Sequence, residues 1–213
     1  MTKKFFWENP YQTRHDTTIA TVHGEEVTVN STIFYAFSGG QESDRGSIAG
    51  YPVLDARKNE FEIFYTLPAG HGLEPGQAVQ MEIDWARRYR LMRLHFAAEL
   101  VLELFYQSLG AIDKVGAHIA QEKARIDFIW RENISPLLPR IADAANSLIE
   151  ANLEIRSAFA DEQNERRYWE ITGFSRVPCG GTHLKRTGEV GLIKLKRNNI
   201  GCGKERVEIF LDS

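Results

Sequence analysis

The sequence lacks the features that define secreted and membrane-spanning proteins. Its 213 residues include only two cysteines, too few for a disulfide-stabilised scaffold. The longest apolar runs fall well short of the ~20 residues needed to cross a bilayer. The first residues contain no apolar stretch followed by a small-residue cleavage site. We therefore expect a cytoplasmic protein with no membrane partner.

The composition is otherwise that of a folded globular protein. Hydrophobic residues make up 43% of the chain and charged residues 26%, which argues against disorder and against a coiled coil. This length is enough to bury one large core or two small ones, and we expect two domains.

Positive charge is concentrated near the C-terminus. The chain has a formal net charge of -3, but residues 185–206 alone carry +5, which leaves -8 for the rest. Such a segment is typical of a phosphate-binding face, and Lys194, Lys196 and Arg197 are its candidate contacts. It is equally typical of a strand edge kept soluble by lysines. The acidic remainder argues against general DNA binding.

The first half of the sequence predicts strands and turns, because β-branched and aromatic runs alternate there with Gly, Pro, Asn and Asp. We expect a small β-barrel or sandwich over residues 1–86. Its predicted strands are Thr17–Val22, Glu26–Val29, Thr32–Phe37, Phe61–Thr66 and Ala78–Ile83.

The second half, residues 87–213, predicts an α+β domain. From Trp85 apolar residues recur at helical spacing, which indicates a long amphipathic helix that ends at Gly110. A second helix is predicted to start at Ser135-Pro136, with Ser as N-cap and Pro at the first helical position. The predicted strands are Ala124–Trp130, Leu153–Phe159, Val190–Lys196 and Arg206–Leu211.

Two short motifs contain residues that can bind a metal ion. Cys179 and His183 are separated by a glycine-rich turn, so both can reach one ion, although the pair is also compatible with an ordinary turn. His95 and Glu99 lie at i and i+4 of the long helix, which is compatible with a shared ligand or with a solvated polar pair. Together the four residues form a donor set suited to tetrahedral zinc.

Four sequence blocks together resemble a known family. They read STIFYAFSGGQESDRGSIAGYPVLD, RYRLMRLHFAAEL, VPCGGTHLKRTGEVG and GCGKERVEIF. In this order they are similar to the free-standing alanyl-tRNA editing proteins of medium length, relatives of the editing domain of alanyl-tRNA synthetase. The resemblance implies a zinc-dependent hydrolase that needs no ATP and cleaves the ester between a wrong amino acid, principally serine, and the acceptor end of tRNA(Ala).

The resemblance fails at one metal position. The family's helix motif is H-T-x-x-H, whereas this chain has Glu99 in place of the second His and Phe96 in place of the Thr. A carboxylate is an acceptable zinc ligand, so Glu99 is a candidate fourth ligand with His95, Cys179 and His183. Alternatively, Glu99 is a general base toward the hydrolytic water and His95 orients it.

The resemblance also points to residues of the first half. The family's three glycines before Gln are here Ser38, Gly39 and Gly40, and Gln41 is a candidate catalytic and substrate-binding residue. Thr32 aligns with a threonine that reads the serine hydroxyl in relatives. Arg45 is expected either to bind phosphate or to brace Asp44.

Three functions remain open from the sequence. The first is a trans-editing esterase that deacylates mischarged tRNA, with Ser-tRNA(Ala) as the expected substrate. The second is a tRNA-binding module that has lost catalysis through the changes at Phe96 and Glu99. The third is an esterase of the same fold with a different amino-acid specificity.

Overall fold

The computed structural model describes residues 1–110 and 112–212. The helices are α1 (Phe5–Glu8), α2 (Trp85–Leu109) and α3 (Leu138–Glu150), with 3-10 turns at Ser135–Leu137 and Thr187–Val190. The strands are β1 (Lys3–Lys4), β2 (Arg14–His23), β3 (Glu26–Val29), β4 (Ser31–Thr32), β5 (Gly46–Ile48), β6 (Tyr51–Pro52), β7 (Asp55–Asn59), β8 (Glu62–Thr66), β9 (Ala78–Ile83), β10 (Asp113–Ile119), β11 (Ala124–Ile129), β12 (Arg156–Asp161), β13 (Arg166–Ile171), β14 (Ser175–Pro178), β15 (Ile193–Gly201) and β16 (Lys204–Leu211).

The fold is α+β, as the sequence predicts, and the chain divides into two compact units. Unit 1 contains residues 1–38 and 42–89, and unit 2 contains residues 39–41 and the described residues from Arg90 onward. The domain boundary at residues 86 and 87 stays a prediction. No helix within the described ranges is long and apolar enough to cross a membrane.

Unit 1 is built on a seven-stranded sheet in the order β6-β5-β9-β2-β3-β8-β7. The long strand β2 joins its two halves, because its first part pairs with β9 and its last part pairs with β3. The register of the β2–β3 pair shifts between Ile19 and Thr21, where the pairing is irregular. Alternation in β9 sends Val79, Met81 and Ile83 into the core of the unit.

The predicted strand Thr32–Phe37 is wrong beyond Thr32, since only Ser31–Thr32 is a strand. In the following segment, side chains rather than a neighbouring strand accept the backbone N–H groups. The N–H of Tyr35 donates to the Asp44 carboxylate at 2.6 Å, and that of Phe37 donates to Ser43 Oγ at 2.8 Å. Hydrophobic periodicity does not reveal whether a side chain or a neighbouring strand accepts a backbone N–H, so the sequence pattern could not show where this strand ends.

A buried ion pair fixes this segment. The Arg88 and Asp44 side chains are both fully buried, and Arg88 Nε donates to Asp44 Oδ1 at 2.8 Å. Arg88 also donates to the backbone oxygens of Pro10 and Ile33 at 2.9 and 2.5 Å. These bonds satisfy both buried charges, which would otherwise be costly. Arg88 is therefore the residue that braces Asp44, while Arg45 is exposed.

Unit 2 contains two antiparallel sheets and most of α2. The sheets have the orders β10-β11-β16-β15 and β12-β13-β14. Sequence reasoning missed β10, β13 and β14. The predicted N-cap role of Ser135 is also wrong, because Ser135 begins a 3-10 turn with no side-chain cap, and α3 starts only at Leu138.

The predicted amphipathic character of α2 is wrong. Between Leu91 and Val101 all side chains are buried except Arg93 and Glu99, which are half-buried. A helix that is buried nearly all round has no solvated face. His95 lies in the middle of this stretch, so its imidazole is held in the interior.

Candidate metal centre

Three side chains converge on one point inside unit 2. His95 comes from α2, and Cys179 and His183 come from the turn after β14. One donor atom from each residue lies within 4.8 Å of the others. The Sγ of Cys179 is 3.2 Å from His95 Nε2 and 3.3 Å from His183 Nε2. The structure therefore brings together two motifs that lie more than eighty residues apart in the sequence.

Gly181 makes this approach possible. A Cβ atom at this position would lie only 2.4 Å from Cε1 and 2.6 Å from Nε2 of His95. At the neighbouring Gly180, a Cβ would meet nothing within 4 Å. Gly181 is therefore required because the His95 imidazole occupies the space of a side chain, and not because of the backbone angles of Gly181.

Glu99 contributes a fourth donor beside the three. Its Oε1 is 3.6 Å from both Cys179 Sγ and His95 Nε2, although Glu99 is not part of the tighter three-residue group. Its other oxygen, Oε2, accepts a hydrogen bond of 2.8 Å from the indole N–H of Trp169. The carboxylate thus turns one oxygen toward the cluster and the other away from it.

These distances fit a tetrahedral zinc ion. Zinc–sulfur bonds of about 2.3 Å and zinc–nitrogen or zinc–oxygen bonds of about 2.0–2.2 Å separate neighbouring donors by about 3.4–3.6 Å. Four of the six separations between these donors are 3.2, 3.3, 3.6 and 3.6 Å, close to this range. A set of two imidazoles, one thiolate and one carboxylate is also chemically suited to zinc.

The two histidines are held in the form that binds metals. Burial lowers the pKa of His95 and lowers that of His183 well below its usual value. Both rings are therefore neutral near pH 7, with a nitrogen lone pair available. The Nδ1 of His183 is 2.9 Å from Ser157 Oγ, so donation to this hydroxyl leaves Nε2 as the ligand atom.

The charge of the site depends on the state of Cys179. Burial, and then the nearby Glu99 carboxylate, raise the pKa of the Cys179 thiol well above its usual value. Burial lowers the pKa of Arg167 to about 10, and the charge of Cys179 opposes this shift. Arg167 therefore remains a cation near pH 7, and it would stabilise the thiolate form of Cys179 that a bound metal ion requires.

The predicted Gln41 lies in the same unit and contacts the CGGTH motif. It is fully buried, and its Nε2 donates to Thr182 Oγ1 at 3.0 Å, next to His183. Its Oε1 is buried without a hydrogen-bond partner in the described structure. The preceding Gly40 has φ +85, and a Cβ there would lie 2.5 Å from the Ala117 oxygen. The loop thus depends on glycine to approach β10.

Two other predicted residues lie in unit 1. Thr32 is fully buried, and its hydroxyl is 2.6 Å from Tyr65 Oη while it accepts the N–H of Phe34 at 2.9 Å. These contacts occupy the hydroxyl that the resemblance assigns to serine recognition. Arg45 lines an open cleft of about 600 Å³ together with Phe37 and Leu54, whose exposed fractions are 55% and 62%.

The basic C-terminal segment does not form one continuous stripe. Lys194 and Lys196 are exposed on one face of the edge strand β15, whereas Arg197 lies on the other face. Arg197 forms a two-bond ion pair with Glu205, and Lys194 Nζ lies 2.6 Å from Asp212. An exposed pair such as the latter contributes at most ~1 kcal/mol and exchanges readily.

Sequence reasoning missed the residues that support the donors. Ser157, Arg167 and Trp169 lie on β12 and β13, and their roles depend on strand register. Thr182 lay inside the recognised motif, but its contact with Gln41 joins positions 141 residues apart. Two signals were available in the sequence: Thr182 lies inside the CGGTH motif, and Trp169 lies in a strand with a neighbouring aromatic residue.

Comparison with known proteins identifies the family. A family model described as "Threonyl and Alanyl tRNA synthetase second additional domain" matches residues 167–208. The chain is 34% identical to "Alanyl-tRNA editing protein AlaX-M" of Pyrococcus horikoshii, over all of this chain and 99% of that protein. The chain belongs to the alanyl-tRNA editing protein family.

Longer relatives contain the same region within a larger enzyme. The chain is 34% identical to "Alanine--tRNA ligase" of Ignicoccus hospitalis and 33% identical to that of Staphylothermus marinus. Each match covers 97% of this chain but only 26% of the ligase. This member of the alanyl-tRNA editing family therefore spans about one quarter of the length of the ligases that it matches.

The role of Gly181 is tested by paired alanine substitutions. We expect Gly181→Ala to weaken zinc binding at least ~10-fold, because the new methyl group displaces the His95 ring from its ligand position. Gly180→Ala is the matched control and should keep the affinity, since its methyl group meets open space. Competition with a chromophoric chelator measures the zinc affinity of both variants. Equal affinities for the two variants would contradict the role of Gly181.

Proposed function

We propose that this chain is a trans-editing hydrolase that cleaves the ester of mischarged aminoacyl-tRNA, principally Ser-tRNA(Ala). The proposed cofactor is zinc, held by His95, Glu99, Cys179 and His183. The reaction needs no ATP, because the aminoacyl ester is already activated toward water. We place it in the cytoplasm, where charged tRNA is used.

The observation that carries this proposal is the convergence of the four donors in a member of the editing family. When bound by all four residues, zinc would hold the pocket together, and it would polarise an ester group only by accepting a fifth ligand or by releasing Glu99. The neutral imidazoles of His95 and His183 are buried, so they form the interior side of the site. Cys179 is half-buried and the Glu99 side chain is 18% exposed, so substrate and water approach from their side.

Glu99 is the residue whose role is least constrained by the family pattern. As a fourth ligand it completes a tetrahedral set, and we favour this role because Oε1 lies at a tetrahedral distance from two other donors. As a general base it would accept a proton from the attacking water at the accessible edge of the site. The two roles predict different consequences of removing the carboxylate.

We propose that tRNA binds through its acceptor end. Lys194 and Lys196, on the exposed face of β15, are the proposed phosphate contacts, and Arg45 is a third. Gly39 is a proposed contact too, since a Cβ there would meet nothing within 4 Å. For the buried Gln41, a positioning role through Thr182 fits better than direct contact with the substrate.

A different amino-acid specificity is the second candidate. Phe96 takes the place of a threonine in the family motif, and its ring lies 5.2 Å from that of Trp169 and 6.0 Å from that of His183. A large apolar ring in place of a small hydroxyl changes both the volume and the polarity next to a proposed ligand. Such a change can shift preference between serine and another small amino acid.

The function is tested by deacylation of purified tRNA(Ala) charged with serine, glycine or alanine. We expect rapid hydrolysis of Ser-tRNA(Ala) and sparing of Ala-tRNA(Ala). Cys179→Ala should abolish activity, whereas Cys202→Ala, at an exposed turn, is the matched control and should retain it. Faster hydrolysis of the glycyl ester would support the second candidate, and tRNA binding without any hydrolysis would contradict both.

The role of Glu99 is tested on two variants with zinc content and deacylation measured on the same samples. If Glu99 is a ligand, Glu99→Ala weakens zinc binding and activity together, while Glu99→His keeps or tightens zinc binding. If it is a general base, Glu99→Ala keeps full zinc but loses turnover. Glu103→Ala, one turn further along α2, is the control. Full metal and full activity in Glu99→Ala would exclude both roles.

A further inference from the structure

The indole of Trp169 is placed to control the Glu99 carboxylate. Trp169 is fully buried in the middle of β13, and its N–H donates to Glu99 Oε2 at 2.8 Å. A buried indole N–H needs an acceptor, so this bond is costly to break. With Oε2 engaged, Oε1 is the oxygen that points toward Cys179 and His95.

Aromatic packing fixes the ring that makes this bond. Phe96 packs edge-on against Trp169 with ring centroids 5.2 Å apart, and Phe174 stacks on it at 6.4 Å with an interplanar angle of 17°. Contacts of this kind hold an aromatic side chain in one rotamer. The hydrogen atom of the indole is therefore presented at one place and in one direction.

Strand register places a second support beside the first. Trp169 on β13 is paired with Ser157 on β12, and the Ser157 hydroxyl contacts His183 Nδ1 at 2.9 Å. Directly paired residues point to the same side of a sheet. The paired residues Trp169 and Ser157 thus form hydrogen bonds with two different candidate ligands, Glu99 and His183. Hydrogen bonds of this kind orient the ligands in metalloproteins.

We propose that Trp169 is a positioning residue that holds Glu99 as a donor through one oxygen, an inference that rests on the proposed zinc site. The pairing is specific for a carboxylate. A neutral histidine at position 99 that bound zinc through one nitrogen would carry N–H on the other, and it could not accept from the indole. Trp169 and Glu99 therefore act as a matched pair.

The test is a double-mutant cycle on zinc affinity. Trp169→Phe removes the N–H and keeps an aromatic ring. In the chain with Glu99 it should weaken zinc binding about 10-fold, the range seen for outer-shell substitutions. In the Glu99→His background the same change should have less than about a threefold effect. If Glu99→His binds poorly, Glu99→Ala serves as the second background, with the same expectation.

Ser157→Ala is the matched control, because it removes an outer hydrogen bond from a different ligand. It should weaken zinc binding by the same factor in either background. Thermal unfolding of the zinc-free proteins measures the effects that do not involve the metal: Trp169→Phe should lower stability in both backgrounds, and by more with Glu99, because the indole hydrogen bond is lost as well. The visible absorption of the cobalt-substituted proteins provides a second readout of donor geometry.

Two results would overturn the role of Trp169. One is an equal loss of affinity in both backgrounds, which indicates packing alone, and the other is no loss in the chain that contains Glu99. The proposed function fails differently, since the unaltered chain would then bind no zinc or hydrolyse no mischarged tRNA. Measuring the unaltered chain first therefore distinguishes the two failures.

Discussion

The proposed metal centre depends on the close approach of the Cys179–His183 turn to helix α2. The turn lies against the His95 ring so tightly that a single methyl group at Gly181 would overlap it. This contact sets the separation of 3.2 Å between Cys179 Sγ and His95 Nε2. Because close-packed interiors do not deform freely, the donor geometry follows from backbone packing rather than from the donors alone.

The site contains buried ionisable groups whose charged forms are unfavourable in a protein interior. Burial opposes ionisation of both histidines and of Cys179, so the empty arrangement favours neutral rings and a protonated thiol. A bound divalent cation would reverse this balance by stabilising the thiolate and the Glu99 carboxylate. These two anions match the charge of zinc, and Arg167 adds one buried cation at the edge of the site.

The sequence could indicate the candidate donors because each pair is local. Helical spacing joins His95 to Glu99, and a short turn joins Cys179 to His183. The supporting residues could not be predicted, because the contacts of Ser157 and Trp169 depend on the register between two strands. The basic segment is divided for a related reason: neighbouring residues of a strand face opposite sides, which separates Arg197 from Lys196. The amphipathic prediction for α2 failed because the helix is buried on nearly all sides between Leu91 and Val101, where only Arg93 and Glu99 are half-buried.

The central claim is that four donors of this chain bind one zinc ion. X-ray absorption at the zinc edge of the protein purified without added metal tests it most directly. The account predicts one sulfur neighbour at about 2.3 Å and three nitrogen or oxygen neighbours at about 2.0–2.2 Å. A coordination shell without sulfur, or protein that contains no stoichiometric zinc, would contradict it.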